Sequence, residues 1–132
     1  QNQWEEINVA QRGKAAGRNF GWRVFEGRQR FAAGNPKRLL PPVRTMSHDQ
    51  GWCSVTGGYI VRTSTLPSLT GQYLYGDFCR PGIRAVRLGS GSATGDKATG
   101  LSVSNLVSFG EDGRGRVYTV SLNGPVSRIV ER

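Results

Sequence analysis

Short runs in which apolar and polar residues alternate, each closed by Gly, Pro, Asn or Asp, fill the second half of the chain. They are CSVTGGYIVR (53–62), QYLYGDF (72–78), GIRAVRL (82–88), NLVSF (105–109), RVYTVSL (116–122) and PVSRIV (125–130). A two-residue period with aromatic and β-branched enrichment is the signature of half-buried strands, and a helical period is nowhere sustained. LNGP (122–125) carries an Asn-Gly pair, which predicts a tight hairpin with positive φ joining the last two runs. Upstream, WEEINV (4–9) reads as a short strand. FGWRVFEGRQRFAAGNPKRLLPP (20–42) reads as a long Gly- and Pro-punctuated connection, and GSGSATGDKATG (89–100) as a mobile surface loop of small polar residues.

Laid against itself, the chain shows a weak repeat. GQYLYGDFCRPGIRAV (71–86) resembles GRVYTVSLNGPVSRIV (115–130) at an offset of 44 residues. A period of about 40–45 residues is the length of one four-stranded propeller blade. The predicted fold class is therefore all-β, a partial propeller of about two to two and a half antiparallel blades. Residues 1–46 are expected to form a partial blade and a long loop, 47–104 a blade, and 105–132 a last blade lacking its closing strand. An unpaired outer strand in a propeller is expected to be covered by the other end of the polypeptide or by a second copy of the chain.

Length and composition fit this picture: 132 residues suffice for one core, and 36% hydrophobic residues with 19 glycines describe a turn-rich globular chain. No apolar run is long enough to span a membrane. The opening QNQWEEINV lacks the charged and apolar regions of a signal peptide, so any such signal is expected upstream or already removed. The net charge of +9 raises nucleic acid as a partner. However, the arginines are spread along the chain, at spacings such as Arg84 and Arg87 or Arg114 and Arg116 that suit solvent faces of strands, and no nucleic-acid motif accompanies them. A solvated basic surface is the favoured reading. WRVFEGRQRF (22–31), where arginines and aromatics interleave as on a stacking platform, is the exception.

Two cysteines and one histidine are the scarce chemistry. Cys53 begins one predicted strand and Cys79 ends the next, so an antiparallel pairing about the intervening loop sets them opposite each other, within disulfide range. A Cys53–Cys79 bridge implies an oxidising compartment and hence a secreted or periplasmic location. A metal site built from these cysteines and His48 is the rival, one ligand short of a closed zinc site and without a CxxC or HxxxH unit. A catalytic thiol lacks a second histidine to activate it. His48, beside Asp49 and near Ser47 and Ser54, permits the sketch of a hydrolase dyad, but no nucleophile elbow is present, and a hydrogen-bonded loop histidine is favoured. EDGRGR (111–116) has an acidic-loop flavour without EF-hand spacing and reads as a polar turn.

QNQWEEINV, GRNFGWRVFEG, GWCSVTGGYIVR, GQYLYGDFC and SFGEDGRGRVYTVSLNGPVSRI, in that order, resemble the C-terminal part of the glucose/sorbosone dehydrogenase family. The chain is similar also to the propeller of hedgehog-interacting proteins. The resemblance implies a six-bladed propeller and a soluble pyrroloquinoline-quinone (PQQ)-dependent aldose dehydrogenase, in which a histidine acts as base and calcium polarises the cofactor. That histidine lies in the N-terminal half of family members and His48 does not match it, so no catalytic residue is expected in this chain, which would be inactive alone. By the same resemblance, Glu6 and the carbonyl of Phe20 stand near a calcium, and Trp52 and Arg80 near the quinone. Cys79 takes the place of a quinone-binding lysine, and NLVSFGED replaces a pair of arginines. These departures favour the alternative, a non-catalytic module that binds carbohydrate or a protein partner through the loop at 22–31.

Overall fold

The computed structural model describes residues 2–131 and contains strands and short 3-10 turns, with no α-helix among the described residues. In chain order the strands are β1 (Trp4–Ile7), β2 (Phe25–Glu26), β3 (Gln29–Arg30), β4 (Arg44–Ser47), β5 (Val55–Ile60), β6 (Tyr73–Asp77), β7 (Gly82–Gly89), β8 (Ser92–Ser102), β9 (Leu106–Glu111), β10 (Val117–Ser121) and β11 (Val126–Arg128). They form an antiparallel four-stranded sheet β5-β6-β7-β8, a three-stranded sheet β11-β10-β9 and two-stranded pairs β1-β4 and β2-β3. Successive meandering sheets stacked face to face give an all-β, partial propeller-like fold. Among the described residues no helix is long and apolar enough to cross a membrane.

Alternation along the strands sends side chains into two separate cores. On β6, Leu74 packs towards the three-stranded sheet with Ile83, Leu106, Phe109 and Val117, while its neighbour Tyr75 packs towards β1-β4 with Ile7, Met46, Trp52 and Val86. The four-stranded sheet is therefore the middle layer. Gly58 on β5 allows the close approach on the first side: a Cβ there would lie 2.6 Å from the Leu74 carbonyl and 2.9 Å from the Phe109 ring.

A polar network crosses the second core. Tyr75 is fully buried; its hydroxyl accepts from Arg44 Nε at 2.9 Å and donates to Asp96 Oδ1 at 2.9 Å. Asp96 in turn receives the Arg84 fork, at 3.0 Å from Nε and 2.8 Å from Nη2, and pairs with Arg44. Three strands of the middle sheet are thus tied to β4 through one carboxylate. Burial, reinforced by the bond to Asp96, pushes the Tyr75 phenol up to about 12.

Two expectations are corrected here. The stretch 89–100, expected as a loop, ends β7 at Gly89 and from Ser92 belongs to the long edge strand β8, paired with β7 from Gly82↔Ser102 to Gly89↔Ser92. An outermost strand has little to bury, so its side chains need not be apolar, and Arg84 is drawn out of solvent by β8's Asp96. The β10-β11 hairpin forms, but neither Asn123 nor Gly124 adopts positive φ. The loop is longer than two residues, since Val120↔Val126 is its last pair, and it closes on a Gly124 N–H to Ser121 carbonyl bond at 3.4 Å. Longer hairpin loops are built around ordinary type I turns.

The network predicts two outcomes. Asp96→Ala leaves Arg84 and the Tyr75 hydroxyl without their acceptor and Arg44 without its ion-pair partner, and lowers unfolding free energy by about 2 kcal/mol, discounted for the partial exposure of both arginines; chemical denaturation measures it. Because the folded-state phenol pKa lies above its unfolded value, the contribution of Tyr75 is complete below the ordinary tyrosine pKa. It is lost as pH rises from about 10 to about 12. Tyr75→Phe removes that part of the decline.

Candidate functional site

The loop from β4 to β5 starts with a 3-10 turn, His48–Gln50. Ser47 caps it, its Oγ accepting the Asp49 N–H at 3.1 Å, and Gly51 ends it at φ +83°, a left-handed conformation that favours glycine. That reversal turns Trp52 inward. Trp52 is 6% exposed, stacked on Tyr75 with centroids 6.1 Å apart, and the exposed Arg80 guanidinium lies 4.8 Å over its ring while donating to the Gln50 carbonyl at 2.6 Å.

Immediately after Trp52, Cys53 and Cys79 form a disulfide, with Cα atoms 5.8 Å apart. They continue the β5-β6 register, in which Val55 faces Asp77. Beneath the bridge sits Asp77, fully buried, its carboxylate accepting N–H groups from Cys53 at 3.1 Å, Ser54 at 2.8 Å and Cys79 at 2.8 Å. Cys53, Asp77 and Cys79 have the donor types of a metal site, but the sulfurs are bonded to each other. His48 takes no part: its Nε2 lies 3.0 Å from Glu5 Oε1, and Glu5 Oε2 accepts the Val55 N–H at 2.8 Å. Glu5 thereby joins β1 to the start of β5.

Glu6 lines a cavity of about 410 Å³ with Glu5, Glu26, Trp4, Trp22 and Cys53. Burial raises its carboxyl pKa; a backbone bond from Gly27 opposes this, and the charges of Glu5 and Glu26 add to it. Glu26 is oriented by the N–H groups of Gln3 and Trp4, at 2.8 and 3.1 Å. Phe20 lines an adjoining cavity of about 170 Å³, which shares only Phe25 and Gly27 with the first. Trp22 is half-exposed and stacks on Phe31 at 5.5 Å, on the arm that carries β2 and β3.

The structure thus joins Trp52 to Arg80 and Cys53 to Cys79, sets Glu6 in a cavity that Cys53 also lines, and leaves Phe20 beyond a wall of that cavity. Sequence reasoning passed over Asp77 and Glu5. An acid closing the otherwise aromatic run QYLYGDF two residues before a cysteine was the available signal for Asp77; Glu5 had none, because its partners lie 43 and 50 residues away.

No family model matches the chain, and no solved structure matches it. Among curated proteins it is 32% identical, over an alignment spanning 165 positions with gaps, to the HIPL1 protein of Arabidopsis thaliana, covering 98% of this chain and 23% of that protein. The chain is similar in sequence to the HIPL1 protein over nearly its whole length. HIPL2 of the same plant is 24% identical over 163 residues, covering 96% of this chain and 23% of the relative. The chain therefore spans less than a quarter of each HIPL protein, and the likeness agrees with the propeller-like class without identifying a dehydrogenase. The disulfide fits an oxidising compartment.

The clamp predicts that Asp77→Ala, which strands three backbone donors under the bridge, costs about 3 kcal/mol of stability. Cys53→Ser with Cys79→Ser, which opens a loop of 26-residue separation, costs about 3 kcal/mol. Urea unfolding of both variants checks this, and Trp52 fluorescence should become more solvent-exposed in each.

Proposed function

We propose that the chain is a binding module of a larger, secreted propeller, taking up carbohydrate or a protein partner, and that it does not itself oxidise aldoses. The observation that carries this reading is the state of Trp52. Tyr75 stacks on it and Arg80 lies over it, which leaves too little ring surface for a planar quinone. The Arg80 guanidinium is also turned to the Gln50 carbonyl rather than left open for an acidic cofactor. These residues do not fit a stacked PQQ as they stand. The partner surface is the β2-β3 arm, where Trp22 and Phe31 present a half-exposed aromatic pair flanked by Arg23 and Arg30. Flat aromatic surface with adaptable cations suits sugar rings and protein side chains alike. The rest of the ring is supplied by the remainder of a longer polypeptide or by another copy.

Calcium is the one part of the dehydrogenase resemblance that a specific observation favours. Glu6 is a carboxylate destabilised by burial and by neighbouring Glu5 and Glu26, and a bound cation relieves both penalties. Phe20 joins such a site only across the wall formed by Phe25 and Gly27.

A glycan array and partner pull-down with wild type and with Trp22→Ala/Arg23→Ala test the first reading: binding is expected in the wild type and lost in the variant. Addition of PQQ, calcium, an aldose and a dye acceptor is expected to give no dye reduction; reduction that disappears in Trp52→Ala would overturn the assignment. Calcium is expected to raise the melting temperature of wild type but not of Glu6→Gln. The rise should fade as pH falls through the elevated carboxyl pKa of Glu6, where the proton displaces the metal.

A further inference from the structure

The loop that follows β5 and the turn between β9 and β10 lie at the end of the strands opposite Trp52, since β5 starts beside Trp52 and runs away from it. Between them is an open cleft of about 530 Å³, lined by Thr63, Ser64, Thr65, Arg114, Arg116 and Arg128 together with residues 129–131. Its size falls in the usual range for small-ligand sites.

The charges in this cleft are unevenly compensated. Asp112 is saturated: it accepts the N–H groups of Arg114 and Arg116, the Arg116 Nε at 2.6 Å and the Tyr118 hydroxyl at 3.0 Å. Glu131 is turned to the Ser68 N–H at 3.3 Å, and Glu111 lies 3.7 Å from Arg62. The guanidiniums of Arg114 and Arg128 have no acceptor among the described residues and are exposed. Facing them are the hydroxyls of Ser64 and Thr65, the latter paired with Thr63 at 3.0 Å. Two unpaired guanidinium forks around a hydroxyl-lined floor present donors to an oxyanion and few competing acceptors. No aromatic ring lines the cleft, so it offers no platform for a nucleic-acid base.

We propose that this cleft binds an anionic group of an acidic polysaccharide, a sulfate ester or uronate carboxylate gripped by Arg114 and Arg128. The disulfide fits an oxidising compartment, where such polymers are met. The site is separate from the β2-β3 arm and from Trp52, and it stands whether or not those bind anything.

The test is retention of the full chain on immobilised heparin and on immobilised polygalacturonate, followed by titration with a sulfated hexasaccharide. The two matrices separate the sulfate from the carboxylate source. Arg114→Ala/Arg128→Ala is expected to elute at clearly lower salt from at least one matrix and to lose at least about tenfold in affinity. Its melting temperature should be unchanged, because neither side chain has a partner to lose. The charge-matched Arg12→Ala/Lys14→Ala variant is expected to keep the wild-type elution and affinity. Equal losses in the two double variants would reduce the effect to net charge and overturn the proposal. No retention at physiological salt on either matrix, or duplex DNA binding as tightly as the hexasaccharide, would overturn it too.

Discussion

The buried carboxylate of Asp77 is the point on which the middle sheet and its loops depend. A charge with no solvent contact is tolerated only when hydrogen bonds replace its water, and here three backbone N–H groups do so. Two of these belong to the segment entering β5 and one to the turn leaving β6, so a single side chain holds both ends that the disulfide joins. The covalent bond limits how far the two can separate. The carboxylate fixes how they are oriented, and with them Trp52 on one side and Arg80 on the other. Glu5 repeats this logic one layer out, one oxygen on His48 and the other on the Val55 N–H.

The same corner recurs in the three-stranded sheet with weaker chemistry. β6 and β10 begin 44 residues apart, at Tyr73 and Val117, and end at Asp77 and Ser121. As Asp77 accepts the Cys79 N–H, Ser121 Oγ accepts the Asn123 N–H at 3.2 Å, and the Phe78 N–H to Ser54 carbonyl bond is matched by Leu122 to Asn105. The hydroxyl also donates to the Ser104 carbonyl. The first copy thus carries a buried charge and a covalent link where the second has a neutral hydroxyl and no bridge. The reinforced corner is the one beside Trp52.

Strand order, the 44-residue repeat and the opposition of Cys53 and Cys79 were legible because they follow from local alternation and from the geometry of a hairpin. β8 was not: Ser92–Ser102 is polar and glycine-containing, and it is a strand only because β7 offers a free edge and Arg84 and Arg44 draw Asp96 inward. The Asn-Gly turn misled because its chemistry is specific to two-residue loops, and the pairing stops at Val120↔Val126. Of the site, Trp52 and Arg80 came from resemblance alone. What lay outside reach was that they touch each other, since that contact depends on the left-handed Gly51 and on the register of a sheet not yet formed.

The two proposed roles fall at opposite ends of the middle sheet. At one end the clamp, Trp52 and Arg80 form a closed, internally satisfied surface with an acidic cavity beside it; at the other, unpaired guanidiniums stand over hydroxyls. The proposal of a binding module rather than an oxidoreductase rests on this closed surface, where the dehydrogenase resemblance implies a cofactor, and that closure rests on Asp77. Amide hydrogen exchange at Cys53, Ser54 and Cys79 tests this most directly. The account predicts that all three exchange only with global unfolding, at a common free energy close to that of the β6 core amides. Exchange at the rate of an exposed loop, with the disulfide intact, would contradict it.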